Sequence, residues 1–460
     1  MFNVLSFDDV LDRMEQGPIC SEHDFDLRIL HPKLQEVIRQ HDIKFDSDSP
    51  VPCDDALADE VFKAALDLYS HTGTLCTDAH RRILFNEDEI RDSLRAAPTR
   101  LSFGEGKDQR VMVYRAIEDS QEPFCISTPI GQPVSEENYL PVVISYVQNP
   151  FADAAGVPSL TTIRGRTVKS RSPTEFEAAI WAVRCFRTAG IIVGRPGIGT
   201  HNLVSTAEST AAIIAAMNTE FGARKTDGVL VGALPELKID MERLNKTACF
   251  LRTGHIIESL AGPLRGGLSG GVEGTAIVTV ANLFQGRLVA RGDCYIYFPT
   301  DLMYACNSTR EMLWLLSVVG QAISRNTHAL KMSAPYQAAG PCTEMVAYES
   351  AATCLASVTS GADIDYGSVA KNKYFDYCSG LEAELALEIS RKATGMKRKD
   401  ANIITKELLK KYESKIHEAP LGKRFQECYD VEKVLPRKDY VELHSKVRKE
   451  LVSIGLDITT

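Results

Sequence analysis

The sequence predicts an α/β fold, a TIM (β/α)8 barrel that carries N-terminal and C-terminal helical extensions. From about residue 157, short apolar runs alternate with segments of helical periodicity in seven or eight steps over roughly 230 residues. The chain has 460 residues, 44% of them hydrophobic, which is enough for a barrel with extensions. No Gly-x-Gly-x-x-Gly follows a predicted strand, so a doubly wound sheet is the second choice.

The predicted elements divide the chain into four parts. Residues 1–100 form an N-terminal helical extension, 101–156 a β-rich connecting segment, 157–396 the barrel, and 397–460 C-terminal helices that pack on the barrel. The predicted strands in the barrel are 159–163, 190–193, 228–231, 249–252, 287–290 or 294–298, 329–333 and 366–369. The predicted helices between them are 173–188, 205–218, 239–244, 274–283, 309–324, 343–360 and 379–394.

Composition excludes several classes of partner. A net charge of −9 and a pI of about 5.7 argue against nucleic acid, which needs a basic face. No apolar run reaches the ~18–20 residues of a membrane span. The 12 cysteines include no Cys-x-x-Cys, and the first residues lack the apolar core of a signal peptide. We therefore expect a cytoplasmic protein with reduced thiols and no membrane partner.

A glycine-rich segment ends at one carboxylate, Glu273. Five glycines lie between Gly262 and Gly271, and a long apolar helical segment starts near Thr275. The pattern predicts that Glu273 lies where a flexible loop meets a helix N-terminus. Two interpretations remain open: a catalytic carboxylate, or a structural turn whose glutamate favours the helix dipole.

In a barrel, the active site lies at the carboxyl ends of the strands, and the segments predicted there are rich in arginine, histidine, carboxylates and tyrosine. They contain no P-loop, no His-Glu-x-x-His and no serine-hydrolase motif. His201 and His255 are either acids or ligands, or structural histidines. Cys76-Thr-Asp-Ala-His80 has metal-ligand types, but no second cluster completes a set, so we predict no metal site and a half-buried helix surface there.

Several motifs, in order along almost the whole chain, resemble the monomethylamine methyltransferases of methanogenic archaea. They are Gly194-Arg-Pro-Gly-Ile-Gly199, Glu236-Leu-Lys-Ile-Asp240, Gly270-Gly-Val-Glu273, Thr309-Arg-Glu311, Ala339-Gly-Pro-Cys-Thr-Glu-Met345, Gly380-Leu-Glu-Ala383 and Phe425-Gln-Glu-Cys-Tyr-Asp-Val431. The resemblance implies a TIM barrel, a homo-oligomer (a hexamer in the family) and a corrinoid-dependent methyltransferase of methanogenesis. It also implies a partner, a small corrinoid protein whose Co(I) accepts the methyl group, and no cofactor held tightly by this chain.

In the family, pyrrolysine lies in the barrel mouth and is thought to hold methylamine. The resemblance places that position at about His201 or Asn202, which are ordinary residues, so the chain is predicted to be a homologue without pyrrolysine. By the same resemblance, Glu273 is the glutamate near the pyrrolysine ring, with Glu236 as second candidate. A pocket tyrosine is retained as Tyr336, and the neighbouring glutamine is replaced by Ala334.

The predicted site follows from this comparison. The catalytic residues are predicted to be Glu273, Tyr336 and His201. Substrate-binding residues are predicted to be Glu236, Asn202, Gln337 and Arg195. A substrate carboxylate, if present, could pair with Arg164, Arg195 or Arg265, each of which could equally form an ion pair at the barrel rim.

The predicted function is methyl transfer from a small methylated compound, an N-methyl or quaternary amine, to Co(I) of the partner protein. The leaving nitrogen must carry positive charge, either fixed in a quaternary ammonium or supplied as a proton by an enzyme acid. Two alternatives remain. One is an inactive paralogue that binds a corrinoid protein or oligomerises with an active enzyme. The other is a TIM-barrel enzyme of unrelated chemistry that uses Glu273.

Overall fold

The computed structural model describes residues 5–205, 207–366 and 374–458. Its centre is a sheet of eight parallel strands, which confirms the predicted barrel. The strands are β1 Cys125–Ser127, β2 Ala154–Ala155, β3 Gly199–Thr200, β4 Gly228–Gly232, β5 Ile256–Ala261, β6 Cys294–Tyr297, β7 Lys331–Ser333 and β8 Asp363–Tyr366. They pair in the order β3-β2-β1-β8-β7-β6-β5-β4. The Leu203 N–H donates to the Gly228 carbonyl (2.9 Å) across the seam between β3 and β4, so the barrel is nearly closed.

A helix follows each strand, as the right-handed crossover of parallel strands requires. The eight helices are α1 Tyr139–Val147, α2 Pro173–Ile192, α3 Thr210–Ala216, α4 Met241–Thr253, α5 Val272–Leu288, α6 Arg310–Asn326, α7 Glu344–Val358 and α8 Gly380–Lys392. Side chains cap several of them: the Asp240 carboxylate accepts the Arg243 N–H, and the Thr343 hydroxyl accepts the Val346 N–H. Gly254 ends α4 in a left-handed conformation (φ 71°).

The N-terminal extension covers one side of the barrel. Its helices are Phe7–Gln16, Glu22–Asp24, a π-helical segment Phe25–Leu30, His31–Gln40, Asp55–Thr72 and Glu87–Arg95. Helix Asp55–Thr72 packs on α5 and α6, which are therefore buried on nearly every face. The C-terminal helices Arg398–Tyr412, Glu413–Glu418 (3₁₀), Phe425–Cys428 and Lys438–Ser453 cover the neighbouring side, where Arg398–Tyr412 packs on α7.

A β-hairpin, Arg100–Phe103 with Arg110–Val113, closes the amino-terminal end of the barrel. The Glu105 N–H donates to the Gly197 carbonyl just before β3 (2.8 Å), which fixes the hairpin beneath the strands. Phe103 and Met112 pack inside against apolar strand residues such as Met332. The lower half of the barrel is thus filled largely with apolar side chains, although Lys331 and Asp363 are also buried at the amino-terminal ends of β7 and β8.

Shorter strands join the loops. They pair Thr74–Cys76 with Arg81–Ile83 and Lys238–Ile239, Pro133–Val134 with Ser159–Leu160, Thr162–Ile163 with Arg166–Thr167, Leu264–Arg265 with Thr300–Asp301, and Tyr429–Asp430 with Leu435–Pro436. Two further 3₁₀ turns are Gly106–Asp108 and Thr219–Phe221. Among the described residues, no helix combines the length and apolar character needed to cross a membrane.

The barrel begins earlier than predicted, because β1 and β2 lie inside the segment 101–156. These strands have only three and two residues, too few to give a periodic pattern. Residues 141–147, within the segment predicted to be β-rich, lie in α1, where burial of Val and Ile on all sides overrides their strand propensity. Residues 159–163 form two short strands outside the barrel sheet.

Two other predicted strands, 190–193 and 249–252, are wrong: they overlap the last turns of α2 and α4. Both segments are rich in apolar residues and so imitate strand composition, although Ile191 and Ile192 are exposed at the end of α2. Strand predictions at 228–231, 294–298 and 329–333 are confirmed by β4, β6 and β7. Residue 366 ends β8, and residues 367–369 of the last predicted strand lie outside the described residues.

We predict that Phe103→Ala lowers the free energy of unfolding by about 3–5 kcal/mol, the usual cost of removing a buried phenylalanine ring. Phe103 is fully buried, and its ring centroid lies 5.1 Å from that of Phe124. Guanidinium denaturation measures the change. Val111→Ala is the matched control, since Val111 is 39% exposed on the same hairpin. Equal losses of unfolding free energy in the two variants would contradict the packing of Phe103 inside the barrel.

Candidate active site

A histidine held between two carboxylates forms the polar centre of the upper barrel. His201 follows β3, Glu258 lies in β5 and Asp365 lies in β8. His201 Nδ1 is 2.9 Å from Glu258 Oε1, and Nε2 is 3.2 Å from Asp365 Oδ2. All three side chains are almost completely buried. The two carboxylates therefore occupy opposite edges of one imidazole ring, at ion-pair distance.

The backbone after β3 fixes this arrangement. The His201 N–H donates to the Ala155 carbonyl of β2 (3.0 Å), which extends the strand pairing by one residue. Asn202 then turns into the left-handed region (φ 42°), which asparagine tolerates better than most residues. Its N–H donates to Glu258 Oε2 (2.9 Å). The Glu258 carboxylate thus contacts the histidine ring through one oxygen and the following peptide group through the other.

A glycine in the next strand makes room for this carboxylate. A Cβ on Gly228 of β4 would lie 2.4 Å from the Glu258 carboxyl carbon, far inside van der Waals contact. Glu258 is also paired in register with Leu230 of β4 and Cys294 of β6. Strand register and the absence of a side chain at position 228 together determine where the carboxylate lies.

The electrostatics favour a protonated histidine. Burial alone would lower the pKa of His201, but the facing carboxylates Asp365 and Glu258 outweigh it and raise that pKa well above its ordinary value. The cluster then holds one positive and two negative charges inside apolar surroundings. Its excess negative charge can attract a cation that enters from the carboxyl ends of the strands.

The loop after β7 brings Tyr336 and Gln337 to the same end of the barrel. Asn307 holds it, donating its backbone N–H to the Tyr336 carbonyl (2.8 Å) and accepting the Tyr336 N–H (2.7 Å). The Tyr336 ring meets Phe298 edge-on, with centroids 5.0 Å apart. Gln337 is fully buried, and its amide forms no hydrogen bond with any described residue. Such an amide is available for a ligand.

A buried carboxylate on α7 positions this loop. Glu349 accepts the N–H groups of Ala338 (2.7 Å) and Ala339 (3.0 Å), and the Ser308 hydroxyl (2.5 Å). Its three partners come from the loops after β6 and β7. Glu349 therefore ties the segment that carries Tyr336 to the helix behind it.

Glu236 lies at the rim, in the loop after β4. Its Oε1 accepts the Leu264 N–H (3.0 Å) from the loop after β5, so it joins two loops of the mouth. Burial raises the pKa of Glu236, although the Leu264 N–H, the Ser269 hydroxyl and Lys238 oppose the shift. Part of the predicted set, namely His201, Asn202, Glu236, Tyr336 and Gln337, therefore lies at the carboxyl ends of the strands.

Glu273 lies at the start of α5, as the glycine pattern predicts, but it contacts the N-terminal extension. Its Oε1 accepts the Phe45 N–H (3.1 Å), and the Leu34 and Ile38 side chains pack on the next residue, Gly274. Glu273 is not part of the cluster around His201. In the structure it joins the extension to the barrel, which corrects its predicted position beside the reacting group.

Arg195 is at the other end of the barrel. Its guanidinium donates to the carbonyls of Val147 (3.1 Å), Asn149 (3.1 Å) and Ala152 (2.7 Å), below the start of β2. The predicted substrate contact is therefore corrected: Arg195 caps the end of α1. The other two arginines form rim ion pairs, Arg164 with Glu177 (3.5 Å) and Arg265 with Asp301 (2.8 Å).

Sequence reasoning missed Glu258 and Asp365. Glu258 is the one carboxylate in the strand Ile256-Ile-Glu-Ser-Leu-Ala, and Asp365 follows Asp363 in the strand Asp363-Ile-Asp-Tyr. A charge within such a run is the signal that could have found them, since buried charges are rare unless paired. Among the described residues, no group of three or more His, Cys, Asp or Glu side chains is arranged to hold a metal ion, and Cys76 lies in a short strand rather than on a helix.

We predict that at about pH 7, just above the ordinary histidine pKa of about 6.5, the His201 ring carries both protons, whereas the His255 ring, whose pKa burial lowers, is neutral. Nitrogen-15 NMR of labelled histidine measures both states, with His201→Gln and His255→Gln assigning the signals. A neutral His201 ring at about pH 7 would contradict the ion-pair cluster.

The same shift makes stability depend on pH. The folded pKa of His201 lies above its unfolded value of about 6.5, so the folded state binds more protons in between. The stabilisation is fully present below about pH 6.5 and is lost as the pH rises through the folded pKa. The free energy of unfolding should therefore fall with increasing pH across this window, as urea denaturation can measure.

We predict that Gly228→Ala displaces the Glu258 carboxylate and destabilises the protein by about 2 kcal/mol or more, as overpacking of a core does. Gly232→Ala, in the same strand, is the matched control because no atom lies within 4 Å of its added Cβ. Thermal unfolding compares the two. Similar melting temperatures for both variants would show that Glu258 is not confined by Gly228.

The whole chain resembles one family. The family model "Monomethylamine methyltransferase MtmB" matches residues 5–456. MtmB1 of Methanosarcina barkeri is 32% identical over 454 residues, which are 98% of each chain, and MtmB of Methanosarcina mazei is 31% identical over the same length and coverage. The crystal structure of the Methanosarcina barkeri monomethylamine methyltransferase superposes with a TM-score of 0.95 at 31% identity, covering 98% of both chains. The predicted family and methyltransferase class are thereby confirmed: the chain belongs to the monomethylamine methyltransferase family.

Proposed function

We propose that this protein transfers a methyl group from a small cationic N-methyl compound to Co(I) of a partner corrinoid protein, and that it does so without pyrrolysine. Membership of the family supports the methyl transfer. The sequence has histidine and asparagine at positions 201 and 202, where the resemblance places pyrrolysine. The group that binds the donor must therefore be built from ordinary side chains.

The observation that carries the proposal is the His201 ring between Glu258 and Asp365. A protonated imidazole and two carboxylates leave one net negative charge in a site that is shielded from water. Such a charge acts more strongly than it would in solvent, because the surrounding dielectric is low. The cluster therefore favours a positively charged donor over its neutral form.

A cationic donor meets the main chemical requirement of the reaction. The electron pair of Co(I) forms the cobalt–carbon bond, and the pair of the carbon–nitrogen bond passes to nitrogen. This pair cancels the positive charge of nitrogen, so a neutral amine leaves and no further proton is needed. The enzyme has to keep the nitrogen charged and hold the methyl group in line with cobalt.

The side chains around the cluster have distinct proposed roles. Glu258 and Asp365 attract the cation, and His201 keeps the two carboxylates apart while moderating their charge. Gln337 offers the substrate a buried amide that has no hydrogen-bond partner among the described residues. Tyr336, in the same loop, offers an aromatic ring. Asn202 and Glu236 border the entrance as substrate-binding residues.

The partner and assembly follow the family resemblance. The corrinoid is proposed to be delivered by a small partner protein as the methyl acceptor, with no cofactor held tightly by this chain. A homo-oligomer, by resemblance a hexamer, is proposed and can be tested by light scattering. All 12 cysteines are free thiols, which suits a reducing cytoplasm where Co(I) persists.

The test is conversion of Co(I) to methyl-Co(III), followed by absorbance, with purified enzyme, a corrinoid protein and a panel of methylated amines. We expect Glu258→Gln to lower kcat/KM by ~10²-fold, because it removes a preorganised charge while keeping its shape. Glu273→Gln is the comparison: it should retain most activity, since Glu273 contacts the extension.

Two results would overturn the proposal. Loss of activity in Glu273→Gln with retention in Glu258→Gln would return the catalytic role to Glu273. No turnover with any donor, using a corrinoid protein that is active with another methyltransferase, would favour the inactive paralogue instead.

A further inference from the structure

A cavity of about 300 Å³ lies beside the seam of the barrel, between the loops after β2, β3 and β4 and helices α3 and α4. This volume is at the lower end of the range for small-molecule sites and far exceeds what methylamine, with two non-hydrogen atoms, would fill. Its floor is apolar, formed by residues such as Ile213, Val229 and Phe250. Charged side chains surround that floor.

Three cations and three carboxylates (Glu208, Asp240 and Glu242) line the cavity, and two of the cations form ion pairs. Arg243 pairs with Asp240 and donates to the Gly232 carbonyl (2.6 Å), and Arg171 lies 3.8 Å from Glu242. Lys246 on α4 is different: within the part of the chain that the structure describes, it forms no ion pair within 4.0 Å. Burial lowers the pKa of Lys246 and Arg243 lowers it further, whereas the carboxylates Glu242, Glu208 and Asp240 act in the opposite direction. An anionic ligand would relieve both effects.

The other wall of the cavity adjoins the buried carboxylates. Asn202 and Leu230 line it there. The Asn202 N–H donates to Glu258, and Leu230 is the register partner of Glu258 in β4. The cavity therefore lies between the Lys246 ammonium on α4 and strand β4. The anionic cluster that contains Glu258 lies on the other side of that strand. A ligand with separated charges of both signs matches this field.

We propose that the methyl donor is a small zwitterion, an N-methylated or quaternary amino acid, whose carboxylate binds Lys246 and whose cationic nitrogen points toward Asn202 and Glu258. The inference rests on the proposed methyl transfer and specifies its substrate class. The carboxylate supplies binding energy away from the reacting carbon, which helps to hold the methyl group in position. Lys246 is then a specificity residue for the donor.

Calorimetric binding to the enzyme without a corrinoid tests the assignment. The probes are trimethylglycine, tetramethylammonium (the cation alone) and 3,3-dimethylbutyrate (an uncharged isostere of the cation, with the carboxylate). We expect trimethylglycine to bind ~10-fold or more tightly than either single-charge probe, because a charge-assisted contact is lost with each. Lys246→Met should remove this advantage while leaving tetramethylammonium binding unchanged, and Lys246→Arg should restore part of it.

Lys225→Met is the matched control, because Lys225 is exposed in the loop before β4 and does not line the cavity. Thermal unfolding checks that each variant is folded.

The inference would be overturned if the wild type bound trimethylglycine and tetramethylammonium with equal affinity. It would also be overturned if Lys246→Met did not change the affinity for trimethylglycine. If such a result accompanied methyl transfer from simple amines to Co(I), the proposed function would stand and the substrate class would fail. Binding as expected without methyl transfer from any donor would retain the subsite and reject the proposed function.

Discussion

The ion cluster of His201, Glu258 and Asp365 is the constraint on which the upper barrel depends. Three ionisable groups from β5, β8 and the end of β3 are buried where each alone would be costly, so each is stable only beside the others. Their distances require that these strands keep their register around the nearly closed barrel. A one-residue slip of any of them would turn its side chain away and leave the remaining charges unpaired.

The rest of the fold supplies the surroundings that this cluster needs. The hairpin that carries Phe103 and Met112 fills the barrel below it, so water is excluded from that side. The N-terminal extension and the C-terminal helices cover α5, α6 and α7, which is why these helices are buried on nearly every face. Glu273 contributes to this outer layer by accepting the Phe45 N–H. Glu258 and Glu273 belong to the same βα unit, but Glu258 contacts His201 inside the barrel whereas Glu273 contacts the N-terminal extension outside it.

The comparison with the family separates scaffold from chemistry. At 31% identity the backbone still superposes with a TM-score of 0.95, because packing depends on the volume and pattern of apolar residues more than on their identities. At the barrel mouth, single residues decide what can bind. With histidine and asparagine at positions 201 and 202, the geometry offers a charged cluster that attracts a cation. The adjoining cavity, with Lys246 on its helix wall, adds a charge of the opposite sign.

The sequence by itself determined the barrel class, the helices with clear periodicity and capping residues, and the family. Glu273 at a helix start was also correctly placed, since local patterns report local backbone geometry. Sequence alone could not locate β2 or β3, which are two residues long, nor separate the ends of α2 and α4 from strands. Only the tertiary structure selected Glu258 and Asp365 as partners of His201 and moved Arg195 to the opposite end. The physical reason is that the cluster joins residues 57 to 164 positions apart through strand pairing, which no local pattern encodes.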